Sequence, residues 1–263
     1  MVEIKKQDDL ENWLKTQPKE MSNAISVRAA LRALPNCVDL VEEDPGRWSG
    51  TLILPMFRAL APPWVAGTWP TQGGEAFISA ALSAVRSTLS VAESIEAADS
   101  GGLSVLSAPH IASVSAASSA ANSAASSAAR SAANSAANSA ARSAAWALIN
   151  REAKFIESGA TSAELLQLPL WEEGAPEAVM EKWRRLRALL IKQDPNWVVW
   201  TDWYEDRLKG FKDVSARPLI PELELERALI PNEDWEKGPT HILQFLAEIE
   251  KRYRRGAEQA RKD

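Results

Sequence analysis

Three carboxylates, Asp202, Glu205 and Asp206, lie within five residues of one another beside Trp200, Trp203 and Tyr204. A carboxyl group next to an indole in a water-poor site can hold its proton near neutral pH and act as a general acid. Asp202 and Glu205 are three apart, so a helix puts them on one face. Arg207 and Lys209 follow closely, however, and acids beside an aromatic stripe more often form the solvated side of an amphipathic helix. An enzyme with a carboxylate site near Asp202 and Glu205 is therefore an alternative reading, not the leading one.

Other chemistries find less support. His110, His241 and Cys37 fall in unrelated segments, with no local cluster at zinc-ligand spacing. Glu222, Glu224 and Glu226 alternate with leucines as a metal-lined strand would, but the flanking prolines and leucines favour a helix. The pairs Gly73-Gly74 and Gly101-Gly102 precede helical patterns without belonging to a P-loop or a dinucleotide fingerprint, and no Gly-x-Ser-x-Gly elbow occurs. No metal or cofactor is expected.

Aromatic residues suggest binding instead. Of eleven tryptophans, Trp171, Trp183, Trp197, Trp200, Trp203 and Trp235 come after residue 170. Exposed tryptophan near arginine anchors interfaces, which makes Trp200 and Trp203 candidate protein-binding residues. The stronger alternative places these indoles in the core, standing in for scarce large aliphatics: 44 of the apolar residues are alanine, which removes little area from water.

The elements that would position these groups are helical. The pattern predicts a short helix carrying Leu10, Trp13 and Leu14, and a second over residues 19–34 in which Arg28 and Arg32 mix with apolar positions. It predicts a turn over 44–48, then a buried helix over 51–60 that Pro62 and Pro63 end. Two apolar seams at steps of three and four make a helix of 74–98, and Gly101-Gly102 breaks the chain before the next pattern. Thr161-Ser-Ala-Glu164 reads as a capping box, and Asp194-Pro195 as an N-cap followed by proline in the first helical position. Pro176 and Pro221 open further helices, and residues 240–253 form a final amphipathic one. Strands are predicted nowhere.

The feature that sets the chain apart is eight tandem copies of Ser-Ala-Ala-X over residues 115–146. Such a run is either a helix made for close packing or a flexible tether between lobes; its lack of Gly, Pro and Glu favours the helix. Four residues advance a helix by about 400°, so no repeat position keeps to one face. Arg130, Asn134, Asn138 and Arg142 nevertheless gather on one side, opposite a seam of Ala125, Ala129, Ala132, Ala136 and Ala140. A seam this small lets another helix approach closely.

The expected fold is all-α: a helical bundle with a long antiparallel αα-hairpin and a Trp-rich C-terminal lobe. Residues 1–158 form a helical domain including the hairpin 74–157, and 159–263 a second lobe, or both belong to one continuous domain. Net charge is −5 and neither half is basic, which argues against dedicated nucleic-acid binding. The broken apolar run 52–69 reads as core rather than a transmembrane segment, and the N-terminal residues do not read as a secretory signal. The single cysteine fits a reducing cytoplasm. The leading functional expectation is a non-enzymatic intracellular interaction or scaffold protein that binds a protein partner or itself through the alanine seam. A second alternative is a membrane-acting effector that opens its helical hairpin.

Overall fold

The computed structural model describes residue 4 and residues 7–70, 139–211 and 217–259, and every regular element among them is a helix. Helix α1 (Gln7–Leu14) buries Leu10, Trp13 and Leu14. Pro18, whose backbone is extended, closes the connection and stands as N-cap of α2 (Lys19–Ala33). That helix is buried on nearly every side, from Ser22 and Ile25 to Leu31, as a central helix must be. A 3₁₀ turn (Leu34–Cys37) leads into α3 (Val38–Glu43).

The turn expected over residues 44–48 is instead the first turn of a helix. The Asp44 carboxylate accepts the Arg47 amide at 3.0 Å, and Pro45 occupies the first position of α4 (Pro45–Trp48), where a missing N–H costs nothing. The chain then runs through a π turn (Ser49–Ile53) into α5 (Leu54–Thr68). The Leu54 amide reaches back five residues to the Ser49 carbonyl. Pro55 has no amide to offer the Thr51 carbonyl, so the wide turn falls where the ordinary ladder is already broken.

Pro62 and Pro63 do not end this helix, contrary to expectation; both lie inside α5. An interior proline costs about 3 kcal/mol or more. Phe57, Leu60, Trp64 and Val65 are all almost fully buried, and each such burial contributes about 1.5–3 kcal/mol. Packing around α5 therefore outweighs its two broken hydrogen bonds. Residues 52–69 are mostly buried in the core, and among the described residues no helix is long and apolar enough to cross a membrane.

Helix α6 (Ser139–Glu157) stops before Gly159, whose φ of +91° an L side chain would resist. The expected capping box opens α7 (Ser162–Gln167): the Glu164 amide donates to Thr161 Oγ1 at 3.2 Å, and the Thr161 amide to Glu164 Oε2 at 2.7 Å. Helix α8 (Glu177–Gln193) follows Pro176. Asp194 caps a 3₁₀ turn (Pro195–Trp197) that runs into α9 (Val198–Lys209), which Gly210 terminates. Three further helices complete the described chain: α10 (Pro221–Ala228), α11 (Asn232–Trp235) and α12 (Pro239–Gln259).

One hydrophobic core joins these elements, drawing on residues before and after residue 158. At its middle Phe57 of α5 stacks on Trp200 (centroids 5.1 Å apart, planes 15° apart) and meets Trp203 edge-on (6.0 Å, 87°). The first arm of the expected hairpin and the repeat copies before Ser139 lie outside the described residues.

Candidate functional site

Arg28 and Arg32 stand one turn apart on α2, and both point at Glu152 of α6. Arg28 Nε donates to Glu152 Oε1 at 2.5 Å, and Arg32 Nη2 donates to the same oxygen. The remaining donors find the chain that leaves α7. A helix that ends leaves carbonyls without amide partners. Arg28 Nη1 donates to the carbonyls of Leu165 (3.0 Å) and Leu168 (2.8 Å), and Nη2 to that of Pro169 (2.8 Å). Arg32 Nε and Nη2 both reach the Leu170 carbonyl, at 2.9 and 2.7 Å. Two guanidinium groups thus tie α2, α6 and the end of α7 together.

Glu152 is nine-tenths buried, and its second oxygen, Oε2, is sealed from solvent without a hydrogen-bond partner. Burial by itself pushes this carboxyl up. The charges of Arg32 and Arg28 and their hydrogen bonds together outweigh that, holding it below the ordinary glutamate value. An unsatisfied buried polar atom costs about 1–3 kcal/mol, more when charged, so native structures rarely leave one without a use. Beside this carboxylate lies a cavity of about 350 Å³ whose wall is mostly apolar, formed by Leu148, Phe155, Leu165, Leu168 and Leu170. Arg151, Lys154 and Glu172 also line it, and Arg151 Nη1 bridges to Glu172 at 2.9 Å in the open.

A second ionic cluster is more deeply enclosed. The Arg207 guanidinium lies between the rings of Trp203 and Trp64, 3.6 and 3.9 Å from their centroids, and donates to Glu224 Oε2 at 2.6 Å. Trp203 Nε1 donates to the same oxygen at 2.9 Å, while Arg227 Nη1 takes Glu224 Oε1 at 2.8 Å. Arg227 also reaches Glu250 at 3.2 Å, which Arg254 holds from the other side at 2.6 Å. Burial lowers Arg207 from its ordinary value, opposed by Glu224, and an arginine remains charged at neutral pH. Burial likewise raises Glu224, but Arg207 and Arg227 more than reverse it.

The carboxylates singled out from the sequence come together in a third cluster, as partners of arginine. Asp202 receives Arg217 at 2.8 Å and Arg187 at 3.5 Å; Glu205 receives Arg187 at 3.0 Å and the Trp183 indole N–H at 3.3 Å. Asp206 takes Arg217 through two bonds of 2.9 Å. This arrangement clamps α8, α9 and the chain at residue 217. None of the three acids lines the cavity beside Glu152.

No family model, no curated protein and no solved structure matches this chain. Its own residues must carry the functional argument.

Trp200 and Trp203 require a correction. Both were candidate surface anchors, and both are buried to within 1 % of full occlusion inside the aromatic core. The cause is Phe57 and Trp64 of α5, which supply the apolar surface those indoles cover. Ala125, Ala129, Ala132 and Ala136 lie outside the described residues, as does His110, while Ala140 belongs to the first turn of α6. Cys37 is buried with Met56 Sδ 4.0 Å away, and His241 is part-exposed on α12 near Asp234 at 3.5 Å. Among the described residues no group of three or more His, Cys, Asp or Glu side chains is placed to hold a metal ion.

Sequence reasoning passed over Glu152 and the cavity, and weighed Glu224 only as one of three acids alternating with leucines, not as the partner of buried arginines. A signal was present: Ile149, Glu152, Ala153 and Ile156 share one helical face, so a lone acid occupies an apolar position. Arg207 shows the same pattern, three residues after Tyr204 and seven after Trp200.

Proposed function

We propose that this chain is a non-enzymatic scaffold or interaction protein that self-associates through the alanine seam of Ala125, Ala129, Ala132, Ala136 and Ala140. One observation supports the reading above others. The last two Ser-Ala-Ala-X copies, residues 139–146, form the opening turns of α6, and the later turns of that helix are fixed in the core. Ile149, Ala153 and Ile156 are buried, Glu152 is held by two arginines, and Asn150 clasps the Ile4 backbone through bonds of 2.7 and 2.6 Å. The repeat thus enters the folded body as helix, on an anchored element. Small side chains permit close backbone approach, and serine weakens an isolated helix, so such a surface gains from a partner. A reducing compartment such as the cytoplasm suits a chain with one cysteine.

Light scattering coupled to gel filtration at several concentrations tests this. The expected mass exceeds one chain and rises with concentration. Ala132→Glu and Ala136→Glu, which place charge on the seam, should return the protein to a monomer with unchanged helical circular dichroism. A strict monomer across the whole concentration range, or association indifferent to both substitutions, removes the reading.

A further inference from the structure

We propose that the cavity between α6 and the chain after α7 binds an anionic amphiphile, an apolar chain ending in one carboxylate that the Lys154 ammonium receives at the mouth. The volume of about 350 Å³ lies within the range of small-molecule sites, roughly 300–1,000 Å³, which are mostly apolar with a few placed polar groups. Leu148, Phe155 and Leu168 line it and are only partly buried, beside the buried Leu165 and Leu170. The apolar surface they still expose favours a hydrocarbon chain, which would take it out of water.

Charge selects the head group. Arg28, Arg32, Arg151 and Lys154 line the cavity against only two carboxylates, Glu152 and Glu172. Part of this charge is already spent: Arg28 on Glu152 and three carbonyls, Arg151 on Glu172 and Glu173. Two donors remain. Lys154 both lines the cavity and is exposed, so it stands where the cavity meets solvent, and it forms no ion pair with a described residue. Arg32, nine-tenths buried, gives Nε to the Leu170 carbonyl and Nη2 to that carbonyl and to Glu152, while Nη1 has no acceptor among the described residues. Glu152 Oε2 is sealed from solvent and meets no ligand. What the lining lacks is therefore an acceptor, and an anion supplies one while balancing the surplus positive charge. An ammonium head would enter against like charge, and a hydroxyl head would leave that surplus in place. At the mouth a carboxylate also keeps its outer side in water, which avoids the cost of full desolvation.

Four probes make the test at neutral pH, each titrated into the full chain and followed by amide chemical shifts. Octanoate, 1-octanol and octylammonium share a tail, and acetate has the head alone. The expected result is saturable binding of octanoate at least ~5-fold tighter than that of octanol or octylammonium, and none of acetate. The largest shifts should fall on residues 148–155 and 165–170. Lys154→Gln should bring octanoate down to the affinity of octanol and leave octanol unchanged, while Lys154→Arg should retain the difference. Added salt gives a second reading on the unaltered chain, weakening octanoate and not octanol. Equal binding of octanoate and octanol would mean that no cation receives the head and would overturn the proposal. So would preference for octylammonium, octanoate affinity indifferent to Lys154→Gln, or no saturable binding.

Discussion

Buried ions stabilise a fold only while each has its partner. Glu224 collects Arg207, Arg227 and the Trp203 indole in one enclosed place, whereas Arg185 meets Glu42 and Asp39 on the surface. Removing one member of a buried pair strands the other charge and costs about 3–5 kcal/mol, while an exposed pair is worth about 0–1 kcal/mol. Glu224→Gln is therefore expected to lower unfolding free energy severalfold more than Arg185→Ala, as measured by urea denaturation. Acid should act on the same groups. The carboxyls of Glu152 and Glu224 sit below the ordinary value of about 4.3, so their contribution is complete above that pH and disappears as pH falls through their folded values. Urea midpoints should fall steeply below about pH 4.3, and less steeply in Glu224→Gln than in the parent; equal slopes would show that Glu224 plays no part. Little of this pairing was legible in the sequence: Arg227 follows Glu224 by three on one helix, but the other partners are remote. Arg28 and Glu152 are 124 residues apart, and no local spacing says which acid a buried arginine will meet. The face on which Glu152 falls was readable; its partners were not.

At the level of elements the sequence was read more fully, because caps and breakers act locally. Thr161 with Glu164, Asp194 with Pro195, and the glycine after Lys209 all perform as their residue types require. Pro62 and Pro63 did not, since burial around α5 overrode a local rule. Gly210 shows how an element end also positions a site. Its φ of +76° and ψ of 176° belong to a region nearly restricted to glycine, and a Cβ there would stand 2.6 Å from Pro169 N. The same close approach lets Phe211 donate to the Gln167 carbonyl at 2.9 Å, holding the segment that Arg28 and Arg32 grip from the other side. Gly174 has a similar φ of +86° with nothing within 4 Å of its Cβ direction. Both Gly174→Ala and Gly210→Ala should incur backbone strain of about 1–3 kcal/mol. Only Gly210→Ala adds a collision, so its thermal midpoint should drop clearly further; equal drops would dismiss the collision.

For the whole molecule, periodicity was enough to say all-α, and composition enough to say that tryptophan would build much of the interior. What periodicity could not show is that Phe57 and Trp64 would be the centre on which the C-terminal indoles close. That arrangement turned Trp200 and Trp203 from candidate surface anchors into the core. It also leaves the association proposed through the alanine seam to stand on the repeat alone, without help from aromatic anchors.

The sealed thiol of Cys37 has a practical corollary. It is wholly occluded, and burial first, then Asp39, pushes its ionisation up to about 12, so almost no thiolate exists at neutral pH. Maleimide chemistry on the native chain should leave it untouched. A cysteine introduced at any exposed position thus becomes the sole attachment point for a dye or spin label, and distances between copies can be read without first rebuilding the interior.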